Sequence, residues 1–219
     1  MSGVHRDTRQ SLLATKLTLQ EEVPIMRDRV NAEYVWVETS RYAAGFWMMR
    51  TLVTNVMYRA AIDAGACTRP IGALGDRLDH PEYADHPAVN ISRADALAYA
   101  AWVAGRLPTG AEWTSASRGD TSRTYPWGNR APDALRANFG HQVGDTTPVG
   151  RYPAGAARCG ALDLAGNACE WVMAPLYVVR GGSFRSDAND LRCMDASTSH
   201  EDLRSVLVGF RIVRSAGTT

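Results

Sequence analysis

Beyond Gly119, glycine, proline, asparagine and aspartate recur too closely for any helix of three turns. The C-terminal half of the chain is therefore confined to turns and short strands, of which Val178–Val179 and Phe210–Val213 are the clearest. The first half reads differently. Tyr34, Trp36 and Phe46–Met49 are aromatic and β-prone and suit short strands. Thr54 offers an N-cap to a helix with Val56, Met57, Ala60 and Ala61 as its buried face and Gly65 as its stop. Ser92 caps a second, with Asp95 in its first turn, Leu97, Ala100, Ala101 and Ala104 as its apolar stripe and Gly105 at its end. Thr109 and Glu112 have capping-box spacing, which predicts a third short helix to about Arg118. A weaker helical pattern at Leu12, Leu13, Leu17 and Leu19, which Pro24 must end, gives a helical arm over 1–23. Helices first and loop-rich β structure afterwards make one α+β domain over 24–219, not a parallel βαβ sheet.

Composition narrows the function. With 219 residues and 45% hydrophobic content the chain suits one large core. Its 24 basic and 23 acidic residues nearly cancel, so no global field exists to hold nucleic acid or an anionic membrane. No apolar run is long enough to span a bilayer, and Met1–Leu13 is too polar for a secretory signal, which points to a cytoplasmic protein. Cys67, Cys159, Cys169 and Cys193 are too few for a disulfide scaffold and lack paired zinc spacing; they read as reduced core residues. The common hydrolase, nucleotide-loop and zinc-protease motifs are absent, and His5, His80, His86, His141 and His200 are scattered without ligand spacing. Asp76, Asp79, Glu82 and Asp85 read as a solvated acidic loop. No catalytic residue and no metal site is assigned on these grounds.

Five segments, in order, carry a resemblance: Gly105-Arg106-Leu107-Pro108-Thr109-Gly110-Ala111-Glu112-Trp113; Tyr125-Pro126-Trp127-Gly128-Asn129; Ala165-Gly166-Asn167-Ala168-Cys169-Glu170-Trp171; Arg180-Gly181-Gly182-Ser183-Phe184; and Gly209-Phe210-Arg211. Together they resemble the signatures of the formylglycine-generating-enzyme (sulfatase-modifying factor) domain. That resemblance implies a C-type-lectin-like fold, low in regular structure, in which Arg106, Glu112, Trp113, Asn167, Glu170, Trp171, Arg180 and Arg211 satisfy one another and the loop amides. It also implies a copper-binding cysteine pair, but the corresponding positions hold Ser186 and Leu191, neither a ligand for soft Cu(I). Calcium, which the family holds near Asn138-Phe139 and Asn167–Glu170, is the one cofactor left open.

The last segment is similar to something more particular. Arg180–Phe184, Ala188, Leu191-Arg192, Asp202, Arg204 and Val208–Arg211 resemble the fixed framework of diversity-generating-retroelement variable proteins, which share the lectin-like fold. The resemblance implies ligand-binding residues at Arg185, Ser186, Asp187, Asp190, Asp195, Ser197, Thr198, Ser199, His200, Leu203, Ser205, Val206 and Leu207. All of these are reachable from an asparagine codon by replacing adenines alone; Met194 is not, and Asn189 also departs from the pattern. The expectation is a non-enzymatic receptor whose segment 185–207 binds an unidentified ligand, a protein rather than a carbohydrate, with Leu203, Val206 and Leu207 as its apolar anchor. The alternative is a copper-dependent formylglycine-generating oxidase acting on cysteine in a peptide, with Cys193 and a second thiol at its centre.

Overall fold

A computed structural model describes residues 25–70, 77–200 and 202–217. The expected helical arm over 1–23 and the acidic residue Asp76 lie outside the described residues. The strands are β1 (Ile25–Arg27), β2 (Glu33–Val37), β3 (Phe46–Met49), β4 (Cys169–Val172), β5 (Val178–Arg180), β6 (Ala196–Thr198), β7 (Val208–Gly209) and β8 (Val213–Ser215). Among the described residues the α-helices between β3 and β4 in sequence are α1 (Asn55–Asp63), α2 (Arg93–Trp102) and α3 (Gly110–Arg118). One sheet runs β1-β2-β3-β8 and the other β6-β5-β4-β7, with β4 and β7 parallel and the remaining pairs antiparallel. The result is an α+β, C-type-lectin-like domain with little regular structure.

The local signals place the helix starts well. Thr54 accepts from the Met57 amide, and Ser92 and Thr109 each form a full capping box, with Asp95 and Glu112 reaching back. The buried faces differ from expectation. In α2 they are Ala96, Tyr99 and Ala100, leaving Leu97 38% exposed. Tyr99 decides this, because its ring lies 5.3 Å from Phe210 and 5.9 Å from Tyr58, and an aromatic buries more surface than one leucine. In α1 the same cluster turns Tyr58 inward and leaves Val56 52% exposed. The turn past α2 also falls one residue early, at Ala104 with φ of 55°. Gly105 serves closeness instead, since a Cβ there would stand 2.3 Å from Ile212 Cγ2.

Phe210–Val213 is not one strand. Ladder pairing stops after Gly209 and resumes at Val213, and between them Arg211 turns fully inward. Its guanidinium donates to Glu170 through Nε and Nη2, both at 2.7 Å, and to the carbonyls of Met49, Arg50 and Leu162. Trp113 Nε1 donates to the same Glu170 carboxylate at 3.2 Å. Both members of the ion pair are 0% exposed. This pair ties both sheets and α3 together at the centre, where a bidentate, fully hydrogen-bonded fork holds a geometry that loops alone would not. Trp171 Nε1 to Ile91 O, Arg106 to Glu112 and Arg180 over the Trp113 ring complete the frame.

Candidate functional site

The frame delivers the C-terminal segment to the surface in two stretches. In the first, Gly181 and Gly182 carry φ of 92° and 68°, and the chain folds back into a compact turn. The Ser183 amide donates to Ser186 Oγ at 3.1 Å, and the Ser186 amide donates back to Ser183 O at 3.1 Å. Asp190 Oδ2 accepts from the Asp187 amide, and Asp187 Oδ1 from the Asn189 amide. Gly140 and His141 amides donate to Ser186 O and Phe184 O, both at 2.8 Å, fixing the turn against a neighbouring loop. Arg185, Asp187 and Asp190 project into solvent from a stiff base, and Ser186 is half-buried.

The second stretch is the edge strand β6 and the loop that follows. Ser197, Thr198 and His200 are exposed, whereas Asp195, Ser199, Ser205 and Val206 are half-buried. The Ser199 amide donates to Tyr177 O, Ser205 O accepts from the Asn90 amide, and Arg204 pairs with Asp95 at 2.7 Å. Leu203 and Leu207 are partly buried against the core around Tyr58 and Tyr99. The expected exposed apolar trio is thus reduced, since two of its members partly anchor the loop. None of the thirteen residues is buried.

The atoms at the two expected copper positions are poor donors for that metal. Leu191 is 0% exposed, packed with Tyr125, Ala137 and Ala165, and Ser186 Oγ accepts a backbone amide. An aliphatic core residue and a neutral hydroxyl do not fit copper. Burial pushes the Cys67 and Cys193 thiols up to about 11, and burial plus the adjacent Glu170 carboxylate pushes Cys169 up to about 12. Burial raises Cys159 as well. Among the described residues no group of three or more His, Cys, Asp or Glu side chains is placed to hold a metal ion. In the loops that the resemblance implies for calcium, Asn167 Oδ1 accepts from the Thr147 amide, its Nδ2 donates to Thr147 O, and Asn138 Nδ2 donates to Asp145 O. Asn138 Oδ1 is buried without a partner, one oxygen against the about six to eight that calcium takes.

A cavity of about 530 Å³ lies at the C-terminal end of α3, its walls including Trp36, Ser40, Arg118, Asp120, Arg158 and Cys159. Its residues come from three separate stretches, none of them a recognised motif, so no local pattern signals it.

The family model described as "Sulfatase-modifying factor enzyme 1-like domain" matches residues 20–216. The hercynine oxygenase of Mycobacterium tuberculosis is 34% identical over 183 residues, covering 70% of this chain and 43% of that protein. The formylglycine-generating enzyme of the same organism is 42% identical over 128 residues, 52% of this chain and 41% of that one. The chain spans less than half the length of these two relatives. Among solved structures, Treponema denticola variable protein 1 matches with a TM-score of 0.65 over 87% of this chain and 98% of that chain, at 16% identity. That likeness concerns the fold. The 34% and 42% identities to two enzymes overturn the expectation of a non-enzymatic receptor, and the residues at Ser186 and Leu191 do not outweigh them.

Proposed function

This chain belongs to the sulfatase-modifying factor enzyme 1-like domain family, and we propose that it is a catalytic member, an oxidoreductase of the hercynine-oxygenase class. The observation that carries the reading is the 34% identity to hercynine oxygenase across 70% of the chain. In this reading the Glu170–Arg211 frame holds the turn after Gly182 so that Arg185, Asp187, Asp190 and His200 meet substrate already ordered, and less conformational entropy opposes binding. The thirteen residues from Arg185 to Leu207 form the substrate-facing surface. Its carboxylates and guanidinium suit a substrate bearing charge of both signs, an amino-acid derivative or polypeptide in preference to a sugar.

The near balance of charge supports a partner other than nucleic acid. Among the described residues no helix is long and apolar enough to cross a membrane. Four unpaired thiols support residence in a reducing compartment.

The test is oxygen uptake by the purified chain supplied in turn with Fe(II) and Cu(I), against hercynine plus a thiol donor and, separately, a cysteine-containing peptide. Uptake that requires hercynine is expected. Uptake driven only by the peptide moves the domain to the formylglycine-generating class, and no substrate-dependent uptake with either metal overturns the enzymatic reading.

A further inference from the structure

The cavity at the C-terminal end of α3 is formed without a guest. The loop between β2 and β3 makes its rim and is tied to the helix end: Ser40 Oγ meets Ser115 Oγ at 2.7 Å, and the Arg41 amide and Nε donate to Asp120 Oδ1 at 2.8 and 3.1 Å. Trp36 is braced on the same wall, since a Cβ on Gly45 would stand 2.5 Å from its Cζ2, and Trp47 meets its ring edge-on at 5.3 Å. A volume of about 530 Å³ is that of a small-molecule site and leaves room for a fused two-ring skeleton.

Its charge balance is positive. The last carbonyls of α3 already have donors: Ser115 O takes the Gly119 amide, Ala116 O and Ser117 O take Cys159 and Cys193 Sγ, and Arg118 O takes Thr121 Oγ1. A helix end that would otherwise favour a cation is thus largely occupied. Arg118 donates through Nε and Nη2 to the Thr121 carbonyl, a neutral acceptor that leaves its charge unmatched. Arg158 lines the cavity, is exposed, and has no hydrogen-bond or ion-pair partner among the described residues. Arg123, held by Thr121 Oγ1 and Pro126 O, adds positive charge near Cys159. Of the two carboxylates on the walls, Asp120 is answered by Arg41; Glu38 is exposed and has no partner among the described residues.

We propose that this cavity binds a small organic acid carrying a flat unsaturated ring, with Arg158 and Arg118 on its carboxylate and Trp36 and Val37 against its ring. A guanidinium without a fixed partner can turn its fork onto a carboxylate and gain two parallel hydrogen bonds. The indole is already ordered, so the ring meets a wall that loses little freedom on binding. Glu38 opposes the acid and marks where its charge is felt. Among the described residues, none of the turn after Gly182 and none of the loop after β6 lines this cavity. The inference concerns binding alone and does not depend on the reaction proposed for that other surface.

The test is a calorimetric titration of the whole chain with naphthoate, and with naphthylmethanol and naphthylmethylammonium as neutral and cationic probes of the same ring. A single equivalent of naphthoate should bind, about tenfold or more tighter than either of the others. Arg158→Gln should weaken naphthoate about tenfold and Glu38→Gln should tighten it about threefold, each with an unmoved melting temperature because both side chains are exposed. Arg185→Gln, on the turn after Gly182, should leave naphthoate binding as it is. No binding at millimolar naphthoate, equal binding of the three probes, or indifference to Arg158→Gln overturns the site. A loss on Arg185→Gln puts the probe on the other surface and overturns it as well. Naphthoate binding without oxygen uptake ends the enzymatic reading and leaves this one standing; uptake without naphthoate binding does the reverse.

Discussion

Glu170–Arg211 and the segment from Arg185 to Leu207 occupy the same turn-rich half of the chain, yet they handle polar groups in opposite ways. At the frame, a charged pair at 0% exposure is satisfied by donors from Trp113 and acceptors from Met49, Arg50 and Leu162. On the outer segment, side-chain oxygens such as Asp187 Oδ1 and Ser186 Oγ fasten nearby amides and leave the rest of each group to water. Loop-rich chains need both devices. The inward one fixes where the loops go, and the outward one fixes their shape while leaving chemistry at the tips.

The sharpest way to break the comparison is to remove one half of the buried pair. Arg211→Met leaves the Glu170 carboxylate enclosed without its countercharge and strips three carbonyls of a donor. A loss of about 3–5 kcal/mol is expected in urea denaturation, enough to unfold a marginal domain. An Arg211→Met chain within about 1 kcal/mol of the parent would show that the frame is not where the fold is held.

Asp163 tests the frame by pH. Its carboxyl is almost wholly buried, accepts from the Gly150 amide, and is pushed by desolvation from 3.8 up to about 6. A folded value above the unfolded one means the native state binds the proton more tightly between these limits. The chain therefore gains stability from this residue as pH falls from above 6 toward 4, and loses it as pH rises, by on the order of 3 kcal/mol. Asp95, Glu112 and Asp145 are held low by their hydrogen bonds and arginine partners and work the other way, losing their contribution as pH falls below the ordinary carboxylate range. Thermal melts of the parent and Asp163→Asn from pH 4 to 8 separate the two: the substituted chain should lose the decline between about pH 4 and 6.5.

Thr109→Ala removes the hydroxyl that accepts from the Glu112 amide at the start of α3, and about 1 kcal/mol should follow. That start was legible in the sequence because a cap is a local event, closed within four residues, and the same holds at Thr54 and Ser92. The buried faces of α1 and α2 were not legible, since Tyr58 and Tyr99 are drawn inward by Phe210, far along the chain. Glu170, Trp113 and Arg211 could be named as frame from their motifs, but not matched to Met49 O or Leu162 O, which carry no side-chain signal. At the surface, the exposed positions could be named, while the partial burial of Leu203 and Leu207 is a product of the fold. Ser186 and Leu191 offer no ligand for soft Cu(I), yet two altered positions bear on one cofactor alone and leave the rest of a reacting surface untouched, so they do not decide whether the domain is catalytic.

The smallest expected effect sharpens the comparison most. Asp187→Asn and His200→Ala alter side chains that face solvent, and each should move stability by no more than about 0.5 kcal/mol. The Asp187 substitution keeps an oxygen for the Asn189 amide, so the turn retains its shape while losing a charge. On a surface that meets substrate, such changes raise KM for a charged substrate with little change in melting temperature, and a double substitution should be nearly additive if the two stretches act independently. Paired melts and oxygen-uptake curves make that measurement. If both substitutions leave KM unmoved, the substrate enters elsewhere, and the cavity at the end of α3 becomes the place to look; if they unfold the chain, the tips belong to the frame and the two regions are one.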